Sequence, residues 1–299
     1  HTHTHTHTHT HTHTPGDHGG MGLRPLANAL VQMELGESFL GALSLNTQGP
    51  DDATMLTLLE HGTDDQKERF LKPLLDGEKR ICYSMTEKAA GADATGMQTN
   101  AVLDGDEWVL NGEKWFSSSA SVADVALVMA KTDPDSPRHE QYSTFLVELP
   151  NPGYDIIRNI ETMQPHTELG LKLGGSHSEI KIKDLRVPRE NLLGGRGQGF
   201  NMGQHRLGYG RLRHGMHNVA MAQRALDLAA EHVSNRHTFG KRLADRQGVR
   251  WMLADCASEI YKARLILLHI AYKAENGMDI RNENGIAKVF LANMVHEVV

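Results

Sequence analysis

The sequence predicts an α+β fold in three parts: a helical N-terminal part, an antiparallel β middle domain and a C-terminal helical bundle. Three observations predict it. Up to Arg80, apolar residues recur at helical spacing between capping signals. From Ile81 to about Gly195, short alternating runs are separated by turn dipeptides such as Asp104-Gly105 and Asn111-Gly112. From Arg196 to Val299 the apolar residues return in steps of three and four. The boundaries read from these changes are 15–80, 81–195 and 196–299.

Residues 1–14 are set aside. His and Thr alternate strictly from His1 to Thr14, supplying seven of the nineteen histidines. A His-rich tract can bind metal, but nothing after Pro15 continues the pattern, so it reads as a tag or placeholder outside the fold. The remaining length and the 39% apolar content are enough for two or three packed units. The net charge of −6, from 31 basic and 37 acidic residues, carries no basic stripe and implies no nucleic-acid partner. No run approaches the ~20 apolar residues that span a bilayer. Cys82 and Cys256 lie far apart in apolar contexts, giving neither a disulfide framework nor metal-ligand spacing and implying a reducing compartment.

In chain order, Pro15–Leu23 is a glycine-rich loop, and Leu26, Leu30 and Met33 then follow a helical period. Asp51 is placed to cap a helix ending before Gly62. Thr63 and Gln66 form a capping box opening the next helix, which stops near Gly77. Strands are then expected on both sides of Asp104-Gly105 and of Asn111-Gly112, with further strands around residues 125–130, 144–149, 154–157, 179–182 and 185–187. One long helix is expected from about residue 201 to 235, with Leu212, Met216, Val219, Leu226, Ala229 and Val233 inward. A second, from about 245 to 276, carries Leu253, Cys256, Ile260, Ala263, Leu267, Ile270 and Ala274 as a bundle seam. A third starts near Arg281 and still runs at Val299, so the bundle is expected to be incomplete and the chain cut there.

The chemistry concentrates between Ile81 and Ser119. ICYSMTEKAAGAD (residues 81–93) is a strand followed by a turn of small residues, and small residues let backbone approach a flat ligand. In KWFSSSA (residues 114–120), Trp115 and Ser117 share a face if the strand is regular. A ring to pack on a heteroaromatic and a hydroxyl to bond it suit a flavin; such short motifs more often mark a plain turn and a core tryptophan.

TEKAAGAD resembles the TEPxxGSD motif of the acyl-CoA dehydrogenases, and KWFSSSA resembles their K-x-W-I-T-N/S-G segment. Four further stretches resemble that family in the same order: PGDHGGMG (residues 15–22), GTDDQKERFLKPLLDGE (residues 62–78), VPRENLLGGRGQGF (residues 187–200) and SNRHTFGKRL (residues 234–243) followed by Gln247. Residues 136–158 and 203–226 look closest to the branch fused in animals to a phosphotransferase-like domain. Two departures stand out: Lys88 replaces the usual proline, and Ala92 replaces the usual serine that touches flavin and substrate.

The resemblance implies bound FAD, met by Tyr83, Met85, Thr86, Gly91, Ala92, Trp115, Phe116 and Ser117. It implies that Arg236, Thr238, Phe239 and Gln247 reach the pyrophosphate and adenine of a flavin held mainly by another subunit, in a homodimer or homotetramer. An arginine's planar fork suits phosphate oxygens, although a cation and a glycine are also ordinary at a helix end. The implied activity is α,β-dehydrogenation of an acyl-CoA, with electrons passed to an electron-transfer flavoprotein. The alternatives are an acyl-CoA oxidase on the same scaffold and a non-catalytic acyl-CoA-binding protein. Ala92 and Arg211 are the substrate-side candidates, with Arg211 expected to be buried. Most of the family carries its catalytic carboxylate near the C-terminus, between the last two helices, and a minority directly before that arginine, where this chain has Gly210; with Glu87 in the flavin turn, the resemblance implies a base beyond Val299. No metal is expected. The location would be cytoplasmic in a bacterium, mitochondrial or peroxisomal in a eukaryote.

Overall fold

A computed structural model describes Thr12 and residues 14–38, 40–163 and 167–299. The rest of the His–Thr tract lies outside the described residues. Thr12 and Thr14 are nevertheless buried, Thr12 accepting a hydrogen bond from Gln32 Nε2 at 3.1 Å, so the end of the tract belongs to the fold. The chain forms two compact units: the described residues up to Thr47 with Gly208–Val299, and Gln48–Leu207.

The second unit is built on an eight-stranded sheet. Its strands are β1 (Ile81–Ser84), β2 (Asn100–Asp104), β3 (Glu107–Ser118), β4 (Val125–Lys131), β5 (Tyr142–Glu148), β6 (Tyr154–Asn159), β7 (His177–Pro188) and β8 (Leu192–Leu193). The order is β6-β7-β3-β1-β4-β5-β8, with β2 paired to β3 and β4. Most pairs are antiparallel as expected, but β1 and β2 run parallel to β4. Cys82, Trp108, Leu110, Phe145, Ile180 and Leu185 form the core on one side of this sheet.

The helix Asp51–His61 and the helical stretch 64–75 pack Met55, Leu58, Phe70 and Leu74 against Ile81, Leu127 and Leu146. The capping box is present: Gln66 N donates to Thr63 Oγ1, and Thr63 N donates to Gln66 Oε1, both at 3.2 Å. Asp51 is not a cap. It is buried, accepting from Ile81 N at 2.8 Å and Arg80 Nε at 3.1 Å, and so ties this helix to the start of β1.

Only one of the two expected hairpin turns forms. β2 and β3 join through Gly105, which has φ +63°. Asn111-Gly112 stays inside the continuous β3, where a Cβ on Gly112 would sit 2.4 Å from Thr99 Oγ1. The glycine serves close backbone approach there, a role that short spacing cannot separate from a turn.

In the first unit, the helix Pro25–Leu35 packs Ala29 and Met33 with residues of three long helices: Gly199–Asn235, Gln247–Glu275 and Arg281–Val298. Leu212, Met216 and Val219 are buried, as are Ile260, Ala263, Leu267 and Ile270. The expected inner face does not extend to the far end of the first long helix, where Ala229 is exposed.

Candidate functional site

The site expected between residues 81 and 118 is assembled by one buried ion pair. After β1 the chain turns at Glu87–Ala90, closed by Ala90 N donating to Glu87 O at 3.1 Å. The Glu87 side chain points inward, away from the turn's exposed corner. Its oxygens accept from Gln98 N at 2.6 Å, Thr99 N at 2.9 Å and Lys114 Nζ at 2.9 Å. Lys114, on β3, has no exposed side-chain surface, and it also donates to Met85 O at 2.9 Å. Burial pushes the Lys114 ammonium down to about 8 against the opposing pull of Glu87. Burial would raise Glu87, but the Lys114 charge and the Gln98 and Thr99 bonds hold its carboxyl below the usual range. Removing one partner of such a pair costs about 3–5 kcal/mol, because the other is left charged and unpaired.

This pair clamps the turn to β3. Trp115 N donates to Thr86 O at 2.7 Å, so the two motifs share a backbone hydrogen bond as well as the side-chain one. Tyr83 pairs with Ser118 across the strands, and its ring lies 4.1 Å beneath the Arg206 guanidinium. The structure therefore brings together Tyr83, Met85, Thr86, Trp115, Phe116 and Ser117.

Trp115 and Ser117 do not share a face. β3 is bulged between Lys114 and Ser117, and Phe116 takes φ +57°. Ser117 has no exposed surface; its hydroxyl shares a hydrogen bond with Ser84 Oγ at 2.9 Å, and Ser84 Oγ shares another with Tyr154 OH at 2.8 Å. The flavin contact expected of the Ser117 hydroxyl is thus not offered. The partly exposed hydroxyl after the bulge is Ser118, bonded to His177 Nδ1 at 2.8 Å.

The remaining residues fit a flat cofactor. Gly91 does not use a left-handed conformation, and an added Cβ would meet nothing within 4 Å. Neither backbone nor neighbour demands glycine there, which leaves an open cradle for a ligand. Gly91 and Ala92 are exposed, and the half-buried Thr86 hydroxyl has no hydrogen-bond partner among the described residues. Trp115 is half-buried, its backbone bonded to Thr86.

The other expected cofactor residues lie in the first unit. His237–Thr238 and Lys241–Arg242 form a short hairpin whose tip, Phe239-Gly240, has φ +49° and +75°. Arg246 Nη2 donates to Thr238 O at 2.6 Å, and Arg242 is paired with Asp245 at 3.0 Å. Arg236 is exposed and has no carboxylate partner among the described residues; Gln247, the first residue of its helix, is exposed too. Phe239 is 96% exposed.

Arg211 is exposed, not buried. The inward arginine is Arg213, whose Nη1 donates to Thr47 O at 3.1 Å. Two residues along a helix is about 200° of rotation, so the apolar period through Leu212 and Met216 carries one arginine inward and the other out. Gly210 meets nothing within 4 Å. Sequence reasoning missed Lys114 as an organiser. The available signal was a lysine in a strand opposite a lone glutamate that closes the preceding motif. No group of three or more His, Cys, Asp or Glu side chains fit for a metal occurs among the described residues. No helix there is long and apolar enough to cross a membrane.

Comparison with known proteins covers nearly the whole chain. Family models for the acyl-CoA dehydrogenase N-terminal, middle and C-terminal domains match residues 9–78, 82–184 and 197–299. "Acyl-CoA dehydrogenase family member 11" of Gallus gallus is 36% identical over 283 residues, covering 93% of this chain and 36% of that protein. The chain thus spans about a third of the length of that curated relative. The "Caffeyl-CoA reductase-Etf complex subunit CarC" of Acetobacterium woodii is 35% identical over 258 residues, 86% of this chain and 66% of that one. Among solved structures, butyryl-CoA dehydrogenase from Megasphaera elsdenii superposes with a TM-score of 0.86 at 30% identity, covering 97% of this chain and 74% of that one.

Proposed function

This chain belongs to the acyl-CoA dehydrogenase family, and we propose that the whole protein catalyses FAD-dependent α,β-dehydrogenation of an acyl-CoA thioester to the trans-2-enoyl-CoA. The observation that carries this reading is the clamp of Glu87 and Lys114, which fixes the turn 87–90 and the Trp115 bulge to each other while leaving Thr86, Gly91 and Ala92 open. FAD, when bound, supplies the acceptor for the β-hydrogen as hydride.

The chain's own residues hold that cofactor. Thr86 offers its unpartnered hydroxyl to the ring, the backbone from Tyr83 to Ala92 lines it, and Trp115 covers it. Arg236, with Thr238, Phe239 and Gln247, meets the pyrophosphate and adenine side of a cofactor in a second copy of the chain, which makes the working form an oligomer. Ala92 has no hydroxyl to give either cofactor or thioester, so the polar contact usual at that position comes from elsewhere. Neither local candidate is the base. Gly210 has no side chain, and both Glu87 oxygens are committed to Lys114, Gln98 and Thr99. The α-proton is therefore taken by a carboxylate outside these residues.

An electron-transfer flavoprotein would be the partner that accepts the electrons; slow reoxidation of the reduced protein by air distinguishes this from an oxidase. A second reading runs the reaction toward reduction of a 2-enoyl-CoA, favoured by the caffeyl-CoA reductase subunit among the relatives. Reconstitution with FAD tests the common core of both. The purified protein is expected to bind FAD non-covalently and be yellow, and protein that stays colourless after reconstitution overturns the reading. Titrating the loaded full-length protein with saturated and 2-enoyl thioesters then shows which direction it favours.

A further inference from the structure

Ser118 ends β3, His177 opens β7, and the two lie directly opposite each other in the strand register. Ser118 also pairs with Tyr83 on its other side, so β1 and β7 together fix its backbone. The residues flanking each are buried: Ser117 and Ser119 around Ser118, Ser176 and Ser178 around His177. Ser118 and His177 are partly exposed, and they are what this end of the strand pair presents outward. Their side chains meet, Ser118 Oγ lying 2.8 Å from His177 Nδ1. Phe116, 45% exposed, meets the same imidazole edge-on, with ring centroids 6.2 Å apart and planes at 66°.

Counted from Lys114, the segment K-x-W-I-T places its aromatic at Phe116 and its hydroxyl at Ser118. The bulge makes the same division, leaving Phe116 and Ser118 at the surface and Ser117 inside. A lone serine hydroxyl rotates and can offer a ligand either its proton or a lone pair. A bond to Nδ1 removes that choice. If Nδ1–H donates to the Ser118 oxygen, the hydroxyl proton is left to point elsewhere; if Nδ1 accepts, the proton is used and only a lone pair remains. The ring of an oxidised flavin carries acceptors at nearly every polar position of its edge, so it calls for the first arrangement.

We propose that His177 is a positioning residue: its Nδ1–H donates to Ser118 and so turns the Ser118 hydroxyl proton toward the flavin ring. This rests on the FAD reading above. The pair supplies the hydroxyl contact that the buried Ser117 does not offer. An apolar residue at 177 would leave the Ser118 backbone where it is and free only its hydroxyl to turn.

The test uses the full-length protein reconstituted with FAD and reads cofactor affinity together with nitrogen NMR of the histidine rings. Ser118→Ala is expected to weaken FAD binding about twofold to tenfold, the span of one hydrogen bond. His177→Leu is expected to weaken it within that span. His177→Asn, whose amide can donate from nearly the place of Nδ1, is expected to recover most of the loss. The double variant His177→Leu with Ser118→Ala is expected to bind no more weakly than Ser118→Ala alone, because His177 acts only through that hydroxyl. Unchanged binding in His177→Leu, or losses that add in the double variant, overturns the proposal. The ring signal absent from His177→Asn identifies His177, and its Nδ1 is expected to carry a proton in the loaded protein; a bare Nδ1 overturns the proposal as well. A cofactor-free arm separates it from the FAD reading. There Ser118→Ala is expected to shift the His177 Nδ1 signal, and an unmoved signal overturns the pairing even if no flavin binds. A shifted signal in protein that takes up no FAD faults the FAD reading and not the bond.

Discussion

Glu87 and Lys114 meet inside the β unit with 3% and 0% of their side chains exposed. Arg236, Lys241, Arg242 and Arg250 lie exposed around a two-residue hairpin tip, with Arg246 half-buried beneath Thr238. Both segments carry expected cofactor residues, yet they are organised differently. The first spends its charges on itself, fixing backbone so that neutral groups face outward. The second keeps Arg236 at the surface with no carboxylate partner among the described residues. Ring recognition needs shape held rigid, whereas phosphate recognition needs charge left available, and a buried pair supplies the first without consuming the second.

The comparison breaks most easily at Lys114. Lys114→Met strands the Glu87 charge and is expected to lower unfolding free energy by about 3–5 kcal/mol, read by urea denaturation. Adding Glu87→Gln should recover part of that loss. A Lys114→Met protein as stable as its parent would remove the clamp from this account. Next comes a pair of glycines. Gly112→Ala pushes a methyl to within 2.4 Å of Thr99 Oγ1 and should cost about 1–3 kcal/mol. Gly91→Ala meets no neighbour and should leave the denaturation midpoint unchanged while weakening FAD binding. Equal stability effects at the two positions would contradict the open cradle.

Arg236→Ala sharpens the other side. Losing a charge-assisted contact to pyrophosphate should weaken FAD binding about tenfold or more, a change of about 1.5–3 kcal/mol. Thermal stability without cofactor should stay within about 0.5 kcal/mol, as for other exposed substitutions. Full flavin occupancy in the variant would return Arg236 to an ordinary helix-end cation. The smallest effect is acid sensitivity. Glu87 has a folded pKa below its unfolded value, so the unfolded chain takes up the proton first. Its contribution is complete above about pH 4.3 and is lost as pH falls through the lower folded value. The double variant Glu87→Gln with Lys114→Met should show a shallower acid limb in a pH series of denaturation midpoints.

Much of the fold was legible because it rests on local pattern. Thr63 and Gln66 announce their capping box by type and spacing, and the bundle seam shows in the steps from Ile260 to Ile270. What was not legible depends on partners distant in sequence. Asp51 reads as a cap until Arg80 and the Ile81 amide arrive beside it. Asn111-Gly112 reads as a turn because the approach of Thr99 is invisible in the string. The bulge at Phe116 moves Ser117 from the expected ligand face to Ser84 and Tyr154, and no periodicity announces a single left-handed residue. Arg211 and Arg213 illustrate how a two-residue offset on a helix exchanges surface for interior.

The backbone bond from Trp115 N to Thr86 O, 2.7 Å long, has a kinetic meaning as well. That amide exchanges its hydrogen with solvent deuterium only while the turn and the bulged strand are apart. Its exchange rate is therefore a clock for opening of the clamp. The clock runs in the cofactor-free chain, and it slows by the extent to which a bound ligand holds the two segments closed.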